Sequence, residues 1–370
     1  MKELSTALQK KLARLGRALI DQDRARVLVQ PTRDRDGYWF GGGNLSRDPG
    51  DDALLLIGRY RDAGDSRTGL AKGPRGRELA IFRSEDEGRT FDKILAWSKA
   101  QIGGASEVLS IEGSALIVRP RSVEVLVSSE RRRAYPRGLS GYQKPGTGVW
   151  AIDRFRAPSL AALDAGVGVE RLVTGEDPAY LHVKDPNVSP GFRRGQHLLL
   201  YCTHPYTWSS ASSGYAALSA RGCRNQTADF FARGPTWDVA ATRITCRLPV
   251  PRLGAFASQP ALSLYFYDGA ECLRSHQAHR RAVDRPRGHS CEELGGLAYG
   301  YDAEFPRLHR LSRLEPAFVS PEGTGCSRYA SVLANPDGGL FAIWQRSSRT
   351  RSQPLVGNRL TAARVARLLG

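Results

Sequence analysis

The chain carries Ser84-Glu85-Asp86-Glu87-Gly88-Arg89-Thr90-Phe91 directly after the β-rich run Glu78-Leu79-Ala80-Ile81-Phe82-Arg83. An aspartate placed like Asp86 accepts hydrogen bonds from the backbone N–H groups of its own turn. Gly88 supplies the φ > 0 that such a turn needs. Phe91 then opens the next strand, its ring directed between sheets. Strand, tight turn and strand in this order make a β-hairpin. The pattern is a device for closing a turn, and it does not by itself mark a reaction centre.

S-x-D-x-G-x-T-F resembles the Asp-box, a hairpin signature of β-propellers and above all of sialidases. Working outward from it, short β-rich runs recur between clusters of Gly, Pro, Asn and Asp. They are Asp52–Arg61, the hairpin Ser114–Ser129, Gly148–Ile152, His197–Cys202, the pair Thr242–Pro249 and Ala261–Tyr267, and Ser327–Leu333 with Leu340–Trp344. The last two are joined by Asn335-Pro336-Asp337-Gly338-Gly339, the clearest turn of the chain. These runs group into about five β units of roughly 60–70 residues each, the size of a propeller blade with loop insertions. The expected fold is all-β: a five-bladed β-propeller with short flanking helices, a six-bladed sialidase-like propeller being the alternative. Leu4, Leu8, Leu12, Leu15 and Leu19 predict an amphipathic helix within residues 1–24. The propeller is expected over 25–346, and a tail ending in a helix over 347–370.

The 370 residues carry a net charge of +17. That charge fits either an anionic partner or an arginine-rich surface. The basic residues are scattered and lack an aromatic stacking motif, so nucleic acid is not the expected partner. The longest apolar runs, such as Ala53–Ile57, are far too short to cross a bilayer, and no membrane partner is expected. The leucine spacing near the N-terminus is that of an amphipathic helix and not of a signal peptide, so a cytoplasmic protein with reduced thiols is expected. Cys272, His276, His279, His289 and Cys291 are zinc-type ligands close in sequence. Their spacing matches no standard finger, and the expected reading is a surface insertion, with no metal and no cofactor.

Propellers gather ligands at the central channel, so polar residues at strand starts are the candidates. They are Gly41–Asn44 with Arg59 to Arg61, Ile111-Glu112, Lys184-Asp185-Pro186-Asn187, Trp237-Asp238 with Arg243, and Arg328-Tyr329. Lys184-Asp185-Pro186, followed by a Gly turn and His197–Tyr201, is similar to a segment of the five-bladed glycosidases of the arabinanase, xylosidase and invertase group. That resemblance implies glycosidic-bond hydrolysis of a carbohydrate, with Asp185 orienting the acid and tuning its pKa. It also implies a first-blade Asp as nucleophile or base, where this chain has Gly41-Gly42-Gly43-Asn44. Asp36, just upstream, and Asp238 are the candidates to activate water.

Hydrolysis needs two carboxyl groups, one protonated and one ionised. Glu112, flanked by Ile111 and Gly113, is the expected general acid, its pKa raised by burial. Asn44, Arg59, Trp237, Arg243, Arg328 and Tyr329 are expected to bind substrate. Arg59, Arg243 and Arg328, with Tyr329 and Glu112, also allow a sialidase-like reading, in which three arginines hold a carboxylate. Arg328 and Tyr329 are neighbours, and they share a site only if their strand is irregular. A propeller that binds a carbohydrate or another partner without catalysis is the third reading.

Overall fold

The computed structural model describes residues 3–63, 73–103, 106–193, 195–206, 208–271 and 293–370. Helix α1 (Thr6–Leu19) and strand β1 (Arg26–Val29) lead into the first blade, β2 (Trp39–Gly41), β3 (Leu45–Arg47), β4 (Leu54–Arg61), β5 (Gly76–Ser84) and β6 (Asp92–Ser98). Helix α2 (Lys99–Gly103) precedes the second, β7 (Val108–Arg119), β8 (Ser122–Arg131), β9 (Val149–Ala157) and β10 (Glu170–Thr174). The third is β11 (His182–Pro190), β12 (His197–His204), β13 (Ser212–Ser219) and β14 (Gly222–Thr227). The fourth is β15 (Ala241–Pro249), β16 (Leu262–Ala270), β17 (Leu294–Tyr301) and β18 (His309–Arg310). The fifth is β19 (Ser327–Ala334), β20 (Leu340–Arg346) and β21 (Leu355–Leu360), before helix α3 (Ala362–Leu369).

Each blade is an antiparallel meander, and among the described residues the sheets number five, not six. The outer strand of the fifth blade is β1, which pairs antiparallel with β21. The ring is therefore closed by the N-terminal strand. This corrects the expected boundary at 346, because β21 lies inside what was read as the tail. A six-residue strand carrying Gly357 and Asn358 gives little sequence signal, and its place becomes visible only through its partners β20 and β1.

The core is divided among the blade interfaces. Leu55, Ile57 and Ile81 meet Leu116 and Val125 between blades one and two. Equivalent layers lie between the remaining pairs, with Phe341 and Ile343 packing on Phe40 and Leu56 where blade five meets blade one. Helices α1 and α3 join the apolar layer of blades four and five through Leu12, Leu15, Leu19, Val365 and Leu369. Ser5 and Thr361 cap their N-termini, accepting from Leu8 N and Arg364 N.

The Ser84–Phe91 turn forms as its residues require. Asp86 accepts from the N–H groups of Arg89 and Thr90, both at 2.9 Å, and from the Thr90 hydroxyl at 2.6 Å. Gly88 has φ +75°, and a Cβ there would lie 2.6 Å from the Phe341 ring of blade five. Phe91 packs into the layer between blades one and five.

Candidate active site at the propeller axis

The inner strands of blades two to five share one irregularity. Pairing register shifts between Ile111 and Ser114, between Lys184 and Asn187, between Ile244 and Cys246, and between Arg328 and Ser331. In blade one the inner strand is interrupted between β2 and β3, at Gly42–Asn44. A bulge re-aims side chains that a regular strand would send to opposite faces. Asp185 and Tyr329 both adopt φ +55° at these points, a left-handed conformation uncommon for residues other than glycine. So Arg328 and Tyr329, although neighbours, both face the axis.

The bulges bring together Glu112, Asp185, Arg243, Arg328 and Tyr329, with Arg59 and Arg61 from β4. Arg59 donates two hydrogen bonds to Glu112 Oε2, at 2.8 and 3.1 Å, and Arg61 donates to Oε1 at 2.9 Å. Arg243 is the hub. Its guanidinium reaches Asp185, Asp268 and Glu293, each at 2.7 Å, and lies 3.2 Å from the Tyr329 hydroxyl. Arg328 pairs with Glu293 and also donates to Gln353. Asp185 Oδ1 accepts from Gly113 N at 3.1 Å, with the Tyr329 hydroxyl 3.4 Å away. Gly113 permits this approach, since a Cβ there would lie 2.7 Å from Asp185 Cα. Arg59, Arg243 and Arg328 all sit against the Tyr329 ring, 5.5, 4.0 and 5.3 Å from its centroid.

Electrostatics oppose the expected rise in the pKa of Glu112. Burial alone would raise its pKa, but Arg59, Arg61 and Lys184 outweigh burial and hold the carboxyl at about 2. The expectation of a raised pKa took account of the apolar neighbours in sequence and not of two guanidinium groups arriving from blade one. Glu293 behaves alike, burial being overcome by Arg243 and Arg328, and also stands at about 2. Asp268 goes the other way. Burial drives it up against the pull of Arg243, with Glu293 adding to the rise, to about 6. Burial also pushes the Tyr329 phenol well above its ordinary range, so it stays neutral.

A small recess opens at the axis, lined by Gly42, Gly113, Asp185, Asn187, Arg243 and Tyr329 among others. Its interior, about 10 Å3 of room for a water centre, suits roughly one water molecule. Asp185 is the carboxylate that lines it.

The remaining sequence candidates sit elsewhere. The Asp36 side chain is 67% exposed and lies 3.8 Å from Arg351 on a neighbouring loop. Asp238 is fully buried in the body of blade four, where it accepts from Arg310 at 2.9 Å and from the Tyr267 hydroxyl. Trp237 stacks on Tyr267 and donates its indole N–H to Ser312 O at 3.0 Å. Asn44 spends its amide on blade two, donating to Leu116 O and accepting from Leu116 N. These are turn, wedge and bridge residues, drawn in by proximity in sequence to a strand start and, for Asp36 and Asp238, by the want of a first-blade Asp. Asp268 and Glu293, which the sequence reading missed, stand on β16 and just before β17, second and third strands that it did not search. One signal was present: Asp268 is the register partner of Arg243. Cys272, His276, His279, His289 and Cys291 lie outside the described residues.

No family model and no curated protein matches the chain. Solved structures do. It is similar to a glycoside hydrolase with TM-score 0.60 and 10% identity over 96% of both chains. It is similar to an α-L-arabinofuranosidase from Lactobacillus brevis with TM-score 0.57 and 9% identity, over 92% of this chain and 94% of that one. It is also similar to a β-1,2-mannobiose phosphorylase from Listeria innocua, with TM-score 0.52 and 12% identity over 94% of both. At such identities the likeness is one of fold: all three comparisons, like the blade count, define a five-bladed β-propeller.

Proposed function

We propose that the protein is a glycosidase that cleaves a glycosidic bond at the mouth of the axial recess, with Asp185 as the carboxylate that meets the substrate. The observation carrying this reading is the position of Asp185. It lines the recess at the axis, held by groups from blades two, four and five. The fold neighbours include a glycoside hydrolase, an arabinofuranosidase and a mannobiose phosphorylase, which agrees with a carbohydrate substrate. Glu112 is not the resting acid in this reading. Fixed as a carboxylate by Arg59 and Arg61, it positions the arginines and supplies negative charge near the developing oxocarbenium ion. With Gly41–Asn44 in place of a first-blade carboxylate, the nucleophile comes from solvent: water attacks the anomeric carbon and gives its proton to Asp185, or phosphate attacks directly, as the glycosidic C–O bond breaks and the leaving oxygen takes a proton from solvent. We place the protein in the cytoplasm with reduced thiols, and thiol titration of the denatured, unreduced protein is expected to find about six thiols, finding none being the result that overturns this reading.

The test is a panel of aryl furanosides, hexopyranosides and sialosides, run with and without inorganic phosphate. Asp185→Asn is expected to lower kcat by about 10²–10⁴ with the fold intact. Glu112→Gln is expected to lower kcat more than it raises KM, because the charge it supplies acts on the developing oxocarbenium ion. If the wild type cleaves nothing while still binding sugars, the protein is a carbohydrate-binding propeller.

One observation favours a second reading, a sialidase-like hydrolase of an acidic sugar with an Asp-box hairpin: the convergence of Arg59, Arg243 and Arg328 on Tyr329. Against it stands the occupancy of those guanidiniums by Glu112, Asp185, Asp268 and Glu293. Turnover of sialosides alone would put this reading first.

A further inference from the structure

Helices α1 and α3 meet the connection between β15 and β16 at the end of the propeller away from the axial recess. Lys11 Nζ donates to Gly370 O at 2.8 Å. Gly254 lies so close to the end of α3 that a Cβ on it would stand 2.7 Å from Gly370 Cα. The bulges that form the recess stand near the starts of the inner strands. Residues 250–254 instead follow the far end of β15, and α3 follows the far end of β21, where Leu360 pairs with Leu340.

Every charged side chain on these three segments is a cation. Lys10, Arg14 and Arg17 are exposed and fall at i, i+4 and i+7, so they share the outer face of α1, while Leu12, Leu15 and Leu19 fill its inner face. Arg364 and Arg367 are exposed on the outer face of α3, away from Val365, Leu368 and Leu369. Arg252 is exposed beside the end of α3. None of these six has an ion-pair partner among the described residues. The wall around the Asp86 hairpin differs, since Arg47 and Arg359 both pair with Glu87 there, and Arg83 with Asp51. One large apolar side chain stands among the six cations: Leu253, 43% exposed, next to Arg252.

Like charges gathered without counter-charge repel one another, and an anionic partner relieves that repulsion. A nucleic acid is bound by an element entering a groove or by aromatic rings that stack on bases. Both helices are held against the propeller by their apolar faces, neither presents an aromatic ring, and a duplex has no use for an exposed leucine. An anionic bilayer surface suits all of these features. It attracts clusters of about four to eight Lys and Arg on amphipathic helices, and an apolar side chain enters its headgroup layer. From the uncompensated cations of three converging segments and the leucine among them, we infer that this end of the propeller docks on an anionic membrane surface. No helix among the described residues is long and apolar enough to cross a membrane, so the contact is peripheral. The expectation of no membrane partner rested on crossing, and a surface contact needs no apolar span. Docking leaves the recess, at the opposite end, open to solution, so the inference does not rest on the reaction.

Sedimentation of the full chain with phosphatidylcholine vesicles, plain or containing about one third phosphatidylserine, tests this at low and at physiological salt. Binding to the anionic vesicles alone is expected, falling as salt screens the charges. Lys10→Glu with Arg14→Glu and Arg364→Glu is expected to weaken it by at least about tenfold. Arg121→Glu with Arg221→Glu and Arg224→Glu makes the same change in net charge at exposed positions of blades two and three, and is expected to leave most of the binding. Lys10→Gln with Arg14→Gln removes charge without reversing it, and takes the place of the first variant if that one loses the wild-type melting temperature. Leu253→Ser is expected to weaken vesicle binding and to leave binding to a short DNA duplex unchanged. No binding to anionic vesicles at low salt, or equal losses in the two charge-reversed variants, would overturn the inference. So would vesicle binding untouched by Leu253→Ser, or a duplex held as tightly as the vesicles through the same cations. Turnover of a soluble glycoside is read separately, and its presence or absence decides the glycosidase reading alone.

Discussion

Asp86 and Asp185 do the same thing in two regions of the molecule, and the sequence announces only one of them. Each carboxylate collects backbone and side-chain donors, Asp86 at a hairpin reversal and Asp185 at a bulge within β11. Asp86 sits in an exposed hairpin, and its partners Ser84, Arg89 and Thr90 all lie within four residues. Asp185 sits buried at the axis, and its partners Gly113, Arg243 and Tyr329 are 72, 58 and 144 residues away. The first network needs only the residues of its own turn. The second is a product of the fold, because only the closed ring brings three other blades to Asp185.

That difference predicts how each region fails, and the largest failure belongs to Arg243. Arg243→Met keeps the length of the side chain and strands Asp185, Asp268 and Glu293 in a buried space without their shared counter-charge. Removing one partner of a buried ion pair typically costs about 3–5 kcal/mol, and a loss of that size is expected in chemical denaturation. A loss under about 1 kcal/mol would mean that water already solvates the ring.

Acid breaks the axial network next. Glu112 and Glu293, at about 2 when folded, lie below their ordinary 4.5. Their stabilisation is therefore complete above pH 4.5 and is lost as pH falls towards 2, each worth on the order of a few kcal/mol. Asp268 has the opposite sign. Its folded value near 6 lies above its ordinary 3.8, so its contribution is fully present below 3.8 and is lost as pH rises through 6. Stability is expected to fall steeply below pH 4.5 and gently from 4 to 6. Asp268→Asn is expected to remove the gentle limb and leave the steep one. Urea midpoints across pH 2–7 check both limbs.

These contrasts also show what was legible. The hairpin and the blade count were readable because a turn and a strand repeat each write themselves in adjacent residues. Arg59, Arg243, Arg328 and Tyr329 were read as substrate-binding residues, and the structure brings them together, but their pairing with Glu112, Asp268 and Glu293 was not foreseen. Which carboxylate faces which guanidinium is set by bulges one or two residues long, and a bulge has no pattern of its own when the residue is Asp or Tyr instead of Gly. Asp36, Asp238, Trp237 and Asn44 were drawn in by the same ambiguity. A polar residue near a strand start can point to the axis, to the next blade or to solvent.

A single substitution made at both sites, Asp to Asn, gives the finest test. At 185 the amide still accepts from Gly113 N, but its NH2 or its oxygen must face Arg243, and one of the two contacts becomes donor against donor. A buried guanidinium N–H loses its acceptor, at a cost of about 1–3 kcal/mol. At 86 the amide oxygen keeps the two backbone N–H groups of Arg89 and Thr90. The NH2 replaces an acceptor of the Thr90 hydroxyl, and that hydroxyl can rotate and turn to water instead. Because Asp86 is only partly buried, the solvent supplies what the amide cannot. Asp86→Asn is therefore expected to shift the melting temperature by no more than a degree or two, while Asp86→Ala, which removes both acceptors, shifts it further. If Asp86→Asn proves as damaging as Asp185→Asn, the hairpin is not the self-contained turn that its local hydrogen bonds describe, and its contact with Phe341 of blade five is what holds it.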